Sequence, residues 1–263
     1  MSRSEFVDFI EPLGNRLQLY DPYRLPHDQP TNDAADPAKA VPQGFIDAME
    51  VRHAVFVEEQ SVPAENELDP DDPLSYHWVA YASVPLKYNS PDLKPQDEKM
   101  DDKQRKSSGT STKIPIGTIR LVPPVQHPYT EVRYEIEMQK KEEMYVKLGR
   151  LAVIKEFRKA GISKLLIETA LQFIRERPNE FVPQVDAGTM EDMRRHGTGL
   201  AYNGLVLVHA QTGVQKVWKK YGFETDESMG TWDEEGMEHV GMWKRIDVAE
   251  GRRKSKIVLP GSP

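Results

Sequence analysis

At 263 residues with a net charge of -7, the chain suits one decorated domain or two small ones. Its isoelectric point near 5.6 argues against a general nucleic-acid binder and suits a cationic substrate such as an amine. It contains no cysteine, which excludes a disulfide scaffold, a thiolate zinc site and a cysteine nucleophile.

A mean hydropathy of -0.63 points to long segments outside any core. No apolar run is long enough to span a membrane, and the start MSRSEFVDFIEP lacks the apolar centre of a signal peptide. The expectation is a cytoplasmic protein, with the nucleus as a second compartment. No metal, membrane or nucleic-acid partner is expected, and a homodimer is compatible with the sequence.

In chain order, Phe6–Ile10 and Arg16–Tyr20 each suit a short strand. Pro22–Pro42 is rich in Pro, Asp, Ala and Asn and reads as a surface connection. A helix fits Gln43–Glu58, with Phe45, Ile46, Met49, His53, Phe56 and Val57 on one face. His53 is expected at the edge of the core. The next segment, Glu58 to Asp72, holds two prolines and many carboxylates, so it is a loop. Taken alone, it reads as a solvated acidic loop.

Tyr76–Ser83 and Ile114–Val122 read as antiparallel strands. Between them, Leu86–Lys113 has too few apolar residues to join a core and is expected to be a disordered insertion at a hairpin tip. A short helix is expected at Glu131–Gln139. Leu148–Ile154 is a near-continuous apolar run suited to a strand buried on both faces. Ile162, Leu165, Leu166, Thr169, Ala170, Phe173 and Ile174 then form one helical stripe, which Pro178 stops.

Between that strand and helix lies Arg158-Lys159-Ala160-Gly161-Ile162-Ser163. A helix start offers unpaired N–H groups and the positive end of the dipole. Gly161 allows a ligand to approach the backbone closely. The combination suits a phosphate or pyrophosphate. Further on, Asn179–Gly199 is a polar connection, Gly204–His209 a second buried strand and Thr212–Lys220 a helix. Gly222 fits the position after a helix that needs a positive φ. His239–Ile246 reads as the last strand, after the acidic run Asp233 to Glu235, and a basic tail follows from Gly251 to Pro263. One mixed α/β domain is expected over residues 1–250, interrupted at 86–113, with residues 251–263 as the tail.

Three segments carry a resemblance. The strand, Arg158, Gly161 and the amphipathic helix resemble the acyl-CoA signature [QR]-x-x-G-x-[GA] of the GNAT superfamily of N-acyltransferases, departing only at Ser163. Val55-Phe56-Val57-Glu58-Glu59-Gln60, Val62-Pro63, Glu67-Leu68-Asp69 and Asp72 resemble the VFV-x-EQ…P…[DE]-x-D-x-x-D pattern of its ElaA-type branch. Ala210-Gln211 through Phe223 resembles the closing F-Y-x-x-[LF]-G-F segment, and His239-Val240-Gly241-Met242 also looks like that branch.

The resemblance implies a mixed, mostly antiparallel sheet flanked by helices, with acetyl-CoA as co-substrate. It assigns the cofactor to Leu151, Ala152 and Val153, to Arg158, Lys159, Ala160, Gly161, Ile162 and Ser163, and to Gln211 and Trp218. It places the acidic loop beside the acceptor, with Asp69 and Asp72 as binding residues. Glu67, Asp69, His209 and His239 are the candidate bases. Many relatives have an acidic tyrosine where this chain has Trp218, so Tyr221 is the candidate acid; an indole cannot transfer its proton in this way. The implied activity is N-acetylation of a small primary amine, such as an amino sugar or polyamine. Acetylation of protein lysines or N-termini, and non-catalytic acyl-CoA sensing, are the alternatives.

Overall fold

The computed structural model describes residues 6–29, 40–85, 111–124, 144–182 and 202–248. The expected helix at Glu131–Gln139, the basic tail, and most of the 86–113 insertion and of the Asn179–Gly199 connection lie outside these residues. The strand signals condense into one eight-stranded sheet. Its strands are β1 (Val7–Ile10), β2 (Tyr76–Pro85), β3 (Ser111–Val122), β4 (Tyr145–Val153), β5 (Leu205–Gln211), β6 (Glu224–Thr225), β7 (Thr231–Glu234) and β8 (Met237–Arg245). The order is β1-β2-β3-β4-β5-β8-β6, with β7 also on β8. Among the described residues only β4 and β5 pair in parallel; the remaining ladders are antiparallel. The mixed, mostly antiparallel sheet flanked by helices is therefore the fold that forms.

Helix α2 (Ile162–Glu176) covers one face. Leu166, Ile167, Ala170, Leu171 and Ile174 are buried there against Ile119, Leu148, Val206 and Val208. The buried stripe thus includes Ile167 and Leu171, and is turned slightly from the one the sequence suggested. Removing one such side chain, as in Leu166→Ala, costs about 2–5 kcal/mol. Helix α1 (Gln43–Arg52) covers the other face of the β1–β4 half and packs Phe45, Ile46 and Met49 with Val79 and Tyr81. The short helix α3 (Gln215–Lys219) follows β5.

Two boundaries depart from the sequence reading. Arg16–Tyr20 is not a strand: Gly14–Leu19 is a 3-10 turn that buries Leu17 and directs Arg16 Nη2 to the Ala40 carbonyl, 2.9 Å away. Ser111–Lys113 belong to β3, not to the insertion, because Pro85↔Ser111 and Ser83↔Lys113 extend the ladder. Composition alone hid this, since Ser, Thr and Lys look like loop residues.

Candidate active site

β4 and β5 pair from Tyr145↔Leu205 to Leu148↔Val208 and then part. The cause lies in β4. Arg120 pairs with Gly149 and Thr118 with Ala152, so Ile119 faces two residues, Arg150 and Leu151. This is a bulge, and a bulge bends its strand. Arg150 takes φ +49, uncommon for a residue with a side chain. The extra residue also reverses the alternation. Val146 and Leu148 face α2, whereas Ala152 packs on Val51 and Val55 on the α1 side. The end of β4, with Leu151, Ala152 and Val153, is thereby swung away from β5 and lines a cleft opposite His209–Gln211.

The predicted phosphate loop opens beyond that end. Gly161 caps α2 in the left-handed region at φ +83, with no side-chain capping bond. A β-carbon there would meet nothing within 4 Å, so the space before the first helical turn is open. Lys159 also has a positive φ, +68. Lys159 and Ala160 are exposed, and Ile162 and Ser163 are half-buried. Arg158 is engaged elsewhere. Its guanidinium donates to Glu59 at 2.6 and 2.5 Å, and its Nε to the Val153 carbonyl at 3.0 Å.

Glu59 belongs to a π-helical extension of α1, His53–Glu59. Such turns are rare and recur at functional sites. The next residue, Gln60, accepts a hydrogen bond from Gln211 Nε2 at 3.1 Å. The π-turn thus bridges the cleft from the α2 turn to the end of β5.

The acidic loop is not simply solvated. Arg52 donates from Nε to Glu67 Oε1, and at 2.7 and 3.1 Å to the two oxygens of Asp72. Arg120 donates at 2.6 and 2.8 Å to Asp69 and at 2.8 Å to Asp72. Arg150 Nη2 donates to Asp69 at 2.9 Å. Arg52, Asp72, Glu67 and Arg120 are buried. Burial alone would raise the Asp72 carboxyl, but Arg52 and Arg120 hold it well below the usual range. Asp69 is likewise lowered, with burial opposed by Arg120 and Arg150. The expectation for Asp72 as a substrate ligand is corrected: fully buried, it ties α1 to β3. Glu67 is also turned inward onto Arg52, and Asp69 has both oxygens engaged. The sequence reading did not pick out Arg52, Arg120 or Arg150. Their signal was an arginine at an otherwise apolar position of a helix or strand.

The remaining candidates meet on the face opposite α2. His209 and Gln211 share it with Leu205 and Leu207. Gln211 pairs with His239, and His239 with Trp232. The Trp232 ring lies 4.9 Å from that of His209, edge to face, and stacks at 6.4 Å on that of His239. Its indole N–H donates to Glu234 at 3.3 Å. Burial works against the Glu234 carboxylate, but this N–H, His239, His209 and Lys147 keep its pKa below the usual value. β7 was missed because its Thr-Trp-Asp-Glu runs into an acidic stretch. The signal was Glu235-Gly236, at φ +55 and +75, the two-residue turn that joins β7 to β8. Asn66 Nδ2 donates to Glu235 at 2.8 Å, closing a trough between the acidic loop and this hairpin.

Solved structures resemble this chain over most of their length. An acyl-CoA N-acyltransferase from Pseudomonas aeruginosa is 20% identical, with 76% of this chain and 89% of that one covered at a TM-score of 0.43. A putative N-acetyltransferase from Lactobacillus plantarum is 21% identical, with coverages of 78% and 92% and a TM-score of 0.43. Escherichia coli ElaA is 18% identical, with coverages of 78% and 92% and a TM-score of 0.41. No family model matches the chain, and no curated protein matches it.

Two candidates lie away from the trough. Trp218 is a core side chain, 4% exposed and 5.2 Å from the Phe223 ring, so its expected contact with a cofactor is not what its packing serves. Tyr221 is half-buried near α2, and burial together with Glu168 raises its pKa. Among the described residues no cluster of three or more metal-ligating side chains occurs, and no helix is long and apolar enough to cross a membrane.

Proposed function

We propose that the chain is an acyl-CoA-dependent N-acyltransferase that moves an acetyl group from acetyl-CoA to a small primary amine. The observation that carries this reading is the parting of β4 and β5 after Leu148↔Val208, with the bulged end of β4 leading to the open, glycine-capped start of α2. The first turn of α2 suits the pyrophosphate of CoA, whose thioester supplies the activated acyl group. The free side of Leu151–Val153 would hold the pantetheine like a strand and polarise the thioester carbonyl through backbone N–H groups.

The acceptor must arrive as a free amine, since an alkylammonium has a pKa of about 10.4. His239 suits this step. Its Nδ1 lies 2.8 Å from the Met237 carbonyl and donates to it, so Nε2 is the nitrogen that would carry the lone pair in the neutral ring. Tyr221, whose pKa burial raises, keeps its proton at neutral pH and is the candidate donor for the departing thiolate on the α2–α3 side, apart from the trough.

A second reading is favoured by Trp218. At the position where many relatives keep a tyrosine acid, this chain has a core residue, which suits an acyl-CoA sensor without turnover. Acetyl-CoA with a panel of amines, amino acids and peptides, read by release of free thiol, separates the cases. Turnover with small amines supports the enzyme. Turnover with peptides alone indicates a protein acetyltransferase. Binding without any turnover leaves the sensor.

A further inference from the structure

Beside the acidic loop, Arg150 has hydrogen-bonding capacity that the fold does not use. Three arginines and three carboxylates form the ion cluster, yet they are not evenly matched. Arg52 takes Glu67 and both oxygens of Asp72. Arg120 takes both oxygens of Asp69 and one of Asp72. Arg150 shares what remains. Among the described residues its one hydrogen bond runs from Nη2 to Asp69 Oδ2, an oxygen already bonded to Arg120. Its Nε is buried without a hydrogen bond, 3.5 Å from a Glu67 oxygen that Arg52 already engages.

The electrostatic consequence follows. Burial disfavours all three cations. For Arg52 and Arg120 the neighbouring carboxylates outweigh burial and raise the pKa. For Arg150, burial and then the charges of Arg120 and Arg52 prevail, and the pKa falls. Arg150 is also the most open of the three: its side chain is 24% exposed, against 0% for Arg52 and 6% for Arg120. It stands on the bulge itself, one residue from the strand segment proposed to hold the thioester. The left-handed backbone at this residue is what turns the side chain to the α1 face, where the acidic loop lies.

We propose that Arg150 is an anion anchor in the acceptor site and that the acceptor amine carries a carboxylate. The proposal rests on the acyltransferase reading and narrows its acceptor to amino acids and related amino carboxylates, away from amino sugars and polyamines. A guanidinium fork matches a carboxylate. A carboxylate brings one negative charge beside Asp69 and Glu67, which already engage this guanidinium, where a phosphate dianion would bring two and be repelled more strongly. The acceptor's amine end then faces the Glu234, His209 and His239 wall of the trough.

The test uses the full chain saturated with CoA. The standard amino acids are titrated calorimetrically, each acid that binds is compared with its amide, and the same pairs are offered with acetyl-CoA for turnover. The acid should bind about tenfold or more tightly than its amide, as one charged hydrogen-bonded contact supplies. Arg150→Gln, which keeps a non-glycine residue on the bulge, should abolish that preference, and Arg150→Lys should restore part of it. CoA affinity and melting temperature, measured on both variants, should stay near wild type. Equal affinity for acid and amide, or no binding of any amino acid, overturns the proposal. So does an Arg150→Gln variant that loses acid, amide and CoA binding together, which would make Arg150 a structural residue. Acid-selective binding without turnover upholds the anchor and removes the acyltransferase reading. Turnover of amines without acid preference does the reverse.

Discussion

Arg52 Nη1 lies 2.7 Å from Asp72 Oδ1, and neither side chain is exposed to solvent. The pair fastens α1 to the end of the acidic loop, and Arg120 carries the link on to β3. Removing the Asp72 charge leaves the buried Arg52 and Arg120 each short of one carboxylate, which costs about 3–5 kcal/mol. Asp72→Asn should therefore lower the midpoint of urea denaturation by that free energy divided by the slope, without changing the slope. A loss below about 1 kcal/mol, the range of a surface pair, would show that the cluster does not hold the loop.

The same cluster makes stability depend on pH through His77. Its two ring nitrogens are buried without hydrogen bonds. Burial, with Arg52 and Arg120 nearby and Asp72 opposing, pushes its pKa down to about 3. An unfolded histidine titrates near 6.5. Between those values the unfolded chain binds more protons, so stability falls as pH falls. Asp69 and Asp72, whose pKa values are lowered in the fold, add a further loss that begins near their unfolded value of about 3.9 and deepens below it. His77→Leu should thus flatten the upper part of the acid limb and leave the lower part. Urea midpoints measured from neutral pH downward test this; an unchanged slope between pH 6 and 5 would rule out His77 as its source.

Much of the fold was legible because its strongest signals are local. The α2 stripe, the apolar runs of β4 and β5, and Gly222 at φ +77 all lie where periodicity and turn chemistry place them. The turn from Arg158 to Ser163 was legible for the same reason: it is six consecutive residues. The ion cluster was not. Glu67, Asp69 and Asp72 look like surface charges until three arginines from α1, β3 and β4 are brought to them, and those contacts span up to 81 positions. Nor does anything near Arg150 announce a bulge, because the irregularity is set by its pairing with Ile119 and its neighbours on β3. The clustering of His209, His239 and Trp232 likewise depends on strand register, which no single segment encodes.

The β2–β3 hairpin offers a test of where the insertion ends. Lys113 Nζ lies 2.9 Å from Asp8 and 3.8 Å above the Tyr81 ring, so it belongs to the sheet. Joining Pro85 to Ser111 by a short turn should leave the melting temperature within a few degrees and CoA affinity unchanged. Carrying the deletion through Lys113 should cost more, since it removes three ladder pairs at that end and the contact with β1. Equal effects of the two deletions would show that the last residues of the hairpin add nothing to the sheet.

Gly161 tests the acyl-CoA reading most directly. A β-carbon there meets no protein atom within 4 Å, so any steric effect falls on a ligand. The left-handed backbone at φ +83 adds strain, about 1–2 kcal/mol for a residue with a β-carbon. Gly161→Ala should therefore reduce stability modestly and weaken CoA binding strongly. Arg158→Ala should weaken it less, because that guanidinium is exposed, screened and already paired with Glu59. Calorimetry with CoA and with pantetheine, which lacks the phosphates, separates the two effects of the glycine. Pantetheine should bind Gly161→Ala almost as well as wild type, while CoA should not. Equal losses for the two ligands would trace the defect to the strained turn, and the start of α2 would lose its claim to the pyrophosphate.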